Sequence, residues 1–122
     1  MMSTPSILIV DDKQDLLDLF TASLRRLPYR ILTAPSGDTA LAILEQETPA
    51  LILLDIAMPH VSGIDVLHRV RQVPRLDATR IIIVTAVPSR VEREDEDLFD
   101  RLIAKPITPR ALEQAVLEVL SS

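Results

Sequence analysis

The sequence predicts an α/β fold, a doubly wound parallel sheet of five strands with helices on both faces. Three observations predict it. Short apolar runs, β-branched or Leu-rich and bounded by turn or cap residues, recur at regular intervals along the 122 residues, as buried strands do. The segments between them carry helical spacing. The composition is 48% hydrophobic but only 2% aromatic, so the core is aliphatic, which suits helix-on-sheet packing. Strand–helix alternation calls for right-handed crossovers. Periodicity alone does not fix the strand order. Among doubly wound five-strand sheets 2-1-3-4-5 is the familiar one, with a switch point between strands 1 and 3 where ligands bind beyond the carboxyl ends.

The elements follow in order. "SILIV" (6–10) is the first strand. Leu16, Leu17, Phe20, Leu24 and Leu27 then mark one face of a first helix. "RILTA" (30–34) is the second strand, and a helix runs over 36–46 from a start near Ser36. "ALILLD" (50–55) is the third strand, and the Ser62-x-x-Asp65 pattern resembles a capping box at the start of a third helix. "RIIIVT" (80–85) is the fourth strand, and Ser89-x-x-Glu92 is a second such pattern, predicting a fourth helix with the acidic stretch "REDEDLFD". "RLIAK" (101–105) is the fifth strand. Thr108-Pro109 is an N-cap with proline at the first helical position, and Leu112, Ala115, Val116, Val119 and Leu120 line the fifth helix. Residues 1–122 are expected to form a single domain, since no linker or low-complexity tract interrupts the repeats.

Composition excludes several functions. A net charge of -5 and a pI near 4.9 argue against a nucleic-acid surface or an anionic membrane surface, because phosphate binding needs clustered Lys and Arg. Without cysteine there is neither a disulfide framework nor a thiolate site. No signal-peptide pattern or membrane-spanning run is visible, so a cytoplasmic location is the default expectation.

Polar residues gather at the predicted strand ends: Asp11 and Asp12 after strand 1, Asp55 at strand 3, Thr85 at strand 4 and Lys105 at strand 5. In the expected sheet all five rim one crevice. Three carboxylates that close raise one another's pKa unless cations join them, and one divalent ion together with Lys105 cancels their charge. An all-oxygen site suits a hard ion, and Mg2+ fits best. Each residue also has a simpler role taken singly. Asp12 with Asp15 could cap the first helix, Asp55 could be a turn residue, Thr85 a strand former and Lys105 a solvated charge. Their joint placement at the strand ends favours a site.

At these residues the sequence resembles the receiver domain of two-component response regulators. "IVDD", "LILLDIAMPHVSGIDVL", "IIIVTA" and "AKP" stand in that family's order and spacing across essentially the whole chain. The resemblance implies a flavodoxin-like sheet of order 2-1-3-4-5. It implies that Asp55 is the phosphoacceptor and that Asp12 and Asp55 bind Mg2+ with the backbone carbonyl of Ala57, while Asp11 supports the ion. Thr85 and Lys105 would contact the phosphoryl group, and Lys105-Pro106 would be a cis peptide. The implied partners are a sensor histidine kinase or phosphotransfer protein and a downstream effector, with a homodimer through helix 4, strand 5 and helix 5 as a further association. Such a domain is a switch that catalyses only its own phosphorylation and dephosphorylation. The physical chemistry agrees, since phosphoryl transfer needs an in-line nucleophile and cations on the equatorial oxygens.

The sequence departs from the family in one region. Leu98, Phe99 and Leu102 stand where the family usually has Gly-Ala and an aromatic residue, so an aromatic rotamer switch is in question and Phe99 is expected to pack in the core. Ala57 and Val87 stand at positions that in the family flank the attacking water's path, and as apolar residues they lack a group to orient it, which predicts slow self-dephosphorylation. His60 and His68 lack companion ligands and are expected to be solvated surface residues, and Gly63 to meet a tight backbone requirement. Two other functions compete: a pseudo-receiver that keeps the fold as a protein-interaction module, and a Mg2+-dependent phosphohydrolase, for which no segment is left to enclose a substrate.

Overall fold

The strands are short because each needs only enough length to cross the layer of helices, and their side chains alternate between two separate cores. The computed structural model describes residues 4–122. Strands β1 (Ser6–Val10), β2 (Arg30–Ala34), β3 (Leu51–Leu54), β4 (Arg80–Thr85) and β5 (Arg101–Ala104) form one parallel sheet of order β2-β1-β3-β4-β5. The expected order and the flavodoxin-like arrangement are both present. Leu8, Val10, Ile52, Leu54, Ile81 and Ile83 pack on one face. Ile7, Ile9, Leu51, Leu53, Ile82 and Val84 pack on the other. Continuous apolar runs buried on both faces are what a central parallel strand requires.

Helices α2 (Gly37–Leu44) and α3 (Gly63–Arg71) cover the first face; α1 (Gln14–Ser23) and α4 (Pro109–Leu120) cover the second. Three of the four helices start at the expected caps. Ser36 accepts Thr39 N–H, Ser62 and Asp65 make the reciprocal capping box, and Thr108 accepts Ala111 N–H ahead of Pro109. Helix α1 differs: its N-cap is Lys13, which makes no side-chain cap, so Asp12 does not serve as the helix cap. Its neighbour Asp11 accepts the Lys13 N–H at 2.9 Å instead.

The predicted fourth helix is absent. Between β4 and β5 lie two 3-10 segments, Pro88–Arg90 and Arg93–Leu98, separated by Val91 and Glu92 in extended conformation. Ser89 sits inside the first of them and caps nothing. Glu92, Glu94, Asp95, Glu96 and Asp97 would place like charges three and four residues apart on an α-helix, a spacing at which they repel. Phe99 does pack against the α3-side core, as expected. Strand β5 has only partial cover, and Leu102 is 38% exposed.

Gly63 is required by contact rather than by dihedral. A Cβ there would fall 2.1 Å from the carbonyl oxygen of Asp55 and 2.6 Å from Ile56 Cα. The start of α3 therefore lies directly on the backbone of the residue at the centre of the candidate site.

Candidate functional site

Parallel register brings the strand ends to one level. Val10 pairs with Leu54, Leu54 with Ile83, and Thr85 with Ala104. The ladder continues one step beyond: Asp55 N–H donates to Val10 O at 3.0 Å and Lys105 N–H to Thr85 O at 2.8 Å. The residues immediately after β1, β3 and β5 thus stand side by side at the switch point.

Asp11 and Asp55 are oriented by the same local device. Each uses Oδ1 to accept a main-chain N–H two residues ahead, from Lys13 at 2.9 Å and from Ala57 at 3.0 Å. This is the turn chemistry that places aspartate after a strand. Each then turns Oδ2 toward Lys105 Nζ, at 2.6 Å from Asp11 and 3.1 Å from Asp55. Turn residue and site residue are one assignment here, not alternatives. Both carboxylates are buried, Asp11 at 1% and Asp55 at 4% exposure. Asp12 is exposed, yet carboxylate oxygens of Asp11, Asp12 and Asp55 lie within 4.8 Å of one another.

Burial pulls the Lys105 ammonium toward its neutral form. The hydrogen bond and charge of Asp11, with those of Asp55, outweigh it and hold the lysine above its ordinary value. Every donor in the acidic cluster is an oxygen, so the cluster suits a hard divalent cation such as Mg2+. Beside it a groove of about 910 Å³ opens between the loop after β3, with Ala57 and Met58, and residues of the 3-10 segments that include Arg90 and Arg93.

A family model described as the response regulator receiver domain matches residues 7–117. The chain belongs to that family. This receiver is 32% identical to the transcriptional regulatory protein AfsQ1 of Streptomyces coelicolor, over 95% of its own length and 51% of the relative. It is 34% identical to the alkaline phosphatase synthesis transcriptional regulatory protein PhoP of Bacillus subtilis, over 93% of its length and 48% of that protein. The chain therefore spans about half the length of these curated relatives. Among solved structures it is similar to the response regulator TrrA of Thermotoga maritima in complex with Mg2+ and BeF, with a TM-score of 0.83, 28% identity and coverage of 94% and 98%. Receiver domains of two-component response regulators are signalling switches rather than ordinary enzymes, and accepting a phosphoryl group is their standard role.

Of the residues singled out in sequence, the fold of this receiver brings Asp11, Asp12, Asp55 and Lys105 together. Thr85 ends β4 fully buried, with its hydroxyl accepting Val87 N–H at 3.3 Å. That hydroxyl makes no hydrogen bond to Asp55 or Lys105 among the described residues. Lys105-Pro106 is a cis peptide, as the resemblance implied. Two features were missed. Lys105 lies closest to Asp11, a pairing that nothing local announces across 94 positions. His68 is an exposed surface residue, as expected, but it has a partner that was not foreseen: its Nε2 stands 3.0 Å from Asp95 Oδ1. Among the described residues no helix is long and apolar enough to cross a membrane.

Proposed function

We propose that residues 1–122 act as one receiver domain in which Asp55 accepts a phosphoryl group in a Mg2+-dependent reaction. The donor is a phosphohistidine of a sensor histidine kinase or phosphotransfer protein. The bond between phosphorus and the donor nitrogen breaks as a carboxylate oxygen of Asp55 bonds to phosphorus, and the released imidazole takes up a proton. The observation that carries this reading is the single ammonium of Lys105 bridging Asp11 and Asp55 beside the exposed Asp12.

Asp12 and Asp55, with the backbone carbonyl of Ala57, would hold Mg2+, and Asp11 would support it. Bound there, Mg2+ supplies positive charge to the transferring oxygens. Lys105 neutralises a further oxygen of the transferring group. Thr85, already at the end of β4, has a hydroxyl free to donate once its rotamer turns toward the new phosphoryl oxygens. The reading surface is the 3-10 segment, β5 and α4, offered to an effector protein or domain or to a second copy, without direct nucleic-acid or membrane contact. The setting of such chemistry is cytoplasmic.

The test is incubation with Mg2+ and acetyl phosphate or beryllofluoride, followed by intact-mass spectrometry and NMR. Wild type should respond only with Mg2+, and Asp55→Asn should not respond. A wild-type chain without any Mg2+-dependent response overturns the reading and leaves the pseudo-receiver, for which exposed Leu102 in the place of the usual aromatic speaks. Turnover of many equivalents of an unrelated phosphate ester would instead identify a hydrolase.

A further inference from the structure

The segment between β4 and β5 is where this chain departs most from strand–helix alternation, and its position is set largely from outside. Backbone bonds at its turns include Arg90 N–H to Val87 O, Val91 N–H to Pro88 O and Asp95 N–H to Glu92 O. Val91, Leu98 and Phe99 rest on the α3-side core. The polar attachments come from α3. Arg71 donates Nε to Leu98 O at 2.8 Å, and also Nη1 to Leu76 O and Nη2 to Thr79 O at 3.3 and 2.9 Å. One turn earlier, His68 Nε2 meets Asp95 Oδ1 at 3.0 Å. Asp95 is the buried residue of Arg93–Leu98, 7% exposed, amid acidic neighbours that face solvent.

The two attachments differ in kind. Two of the three Arg71 acceptors lie outside the segment, so Arg71 remains anchored wherever the segment goes. His68 has one partner, and its side chain is half exposed, so water can take the place of Asp95 at the imidazole. The charged groups on the two packed elements are Asp65, Arg69 and Arg71 of α3, and Arg90, Glu92, Arg93, Glu94, Glu96 and Asp97 of the segment. Crowding on the segment is real: the hydrogen bond and charge of Glu94 hold the exposed Glu92 carboxyl above its ordinary range, with Asp95 adding to it. His68 is the side chain of α3 that meets Asp95 amid this crowding.

We propose that the His68–Asp95 pair is a releasable latch, holding residues 88–98 in the arrangement where Asp55 is paired with Lys105 and opening when Asp55 takes a phosphoryl group. This rests on the phosphoacceptor reading of Asp55. The segment joins the end of β4, with Thr85, to β5, which leads to Lys105, so a shift of either residue toward a phosphoryl group pulls on it. A contact made in only one of two arrangements biases the equilibrium by its own free energy, and the coupling is reciprocal.

The experiment measures Mg2+–beryllofluoride affinity and amide hydrogen exchange for wild type, Asp95→Asn, His68→Gln and the double variant. Each single variant should bind beryllofluoride roughly threefold more tightly, and the double no more tightly than either. Amides of 88–98 should exchange faster in the variants without ligand. Unchanged affinity ratios or unchanged exchange overturns the latch while the phosphoacceptor reading stands. Failure of wild type to bind beryllofluoride overturns that reading and the latch with it.

Discussion

Asp11 and Lys105 meet at 2.6 Å between Oδ2 and Nζ, although 94 positions separate them in the chain. The same ammonium reaches Asp55, so one cation serves two buried carboxylates. Removing it leaves two negative charges facing each other out of water. Lys105→Met is expected to cost roughly 3 kcal/mol at neutral pH without Mg2+, and part of the loss should return when Mg2+ is added. Urea unfolding with and without Mg2+ measures both; equal midpoints for variant and wild type would contradict the pairing.

The pH dependence of that pair has a definite sign. The folded-state pKa of Lys105 lies above its ordinary value of 10.5. Its stabilising contribution is therefore complete below 10.5 and is lost as pH rises through the raised folded value. Unfolding midpoints of wild type and Lys105→Met, followed from about pH 9 to about pH 12, should converge at the alkaline end. A gap that stays constant there would refute the assignment.

Asp12 separates ion binding from folding. It is exposed and caps no helix, so Asp12→Ala should change stability without metal by less than about 0.5 kcal/mol. Wild type should be stabilised by Mg2+ through mass action, by about 2.7 kcal/mol at a hundredfold excess over Kd, and the variant far less. Thermal melts across a Mg2+ titration decide it, and an equal response from both chains would remove Asp12 from the site.

Gly63 ties helix packing to the phosphoacceptor. In Gly63→Ala the new methyl would strike the Asp55 carbonyl at 2.1 Å, and backbone cannot swing aside as a flexible side chain does. A loss of about 3 kcal/mol or more is expected, with weakened beryllofluoride binding because Asp55 itself is displaced. A variant with wild-type stability would show that the loop after β3 is free to relax.

Much of the fold was legible because its signals are local. Apolar runs located every strand to within a residue. Ser36, the Ser62–Asp65 box and Thr108-Pro109 located three helix starts, since a cap depends on atoms three residues away. The same local reading failed at Ser89. A cap signal says that a helix can start there, but the extended Val91 and Glu92 and the like charges that follow decide that none propagates. It failed again at Asp12, where Asp11 takes the main-chain N–H of Lys13 in its own turn and leaves Lys13 at the N-cap. His68 looked partnerless because Asp95 is a neighbour only after β4 and its 3-10 segment fold back on α3.

The sequence by itself determined the layers, the two-faced core, the chain's place among receiver domains and the convergence of Asp11, Asp12, Asp55 and Lys105 at the strand ends. Period-2 burial and the order of strand-end residues are properties of the chain, readable without coordinates. Only the tertiary structure decided how those charges pair, which carboxylate stays in water and what the acidic stretch does. Ion pairing depends on distance and burial, and these arise when register brings residues dozens of positions apart to within 3 Å or so of each other. The adjacent Asp11 and Asp12 show the difference: one is buried against Lys105, and the other is left exposed at the rim.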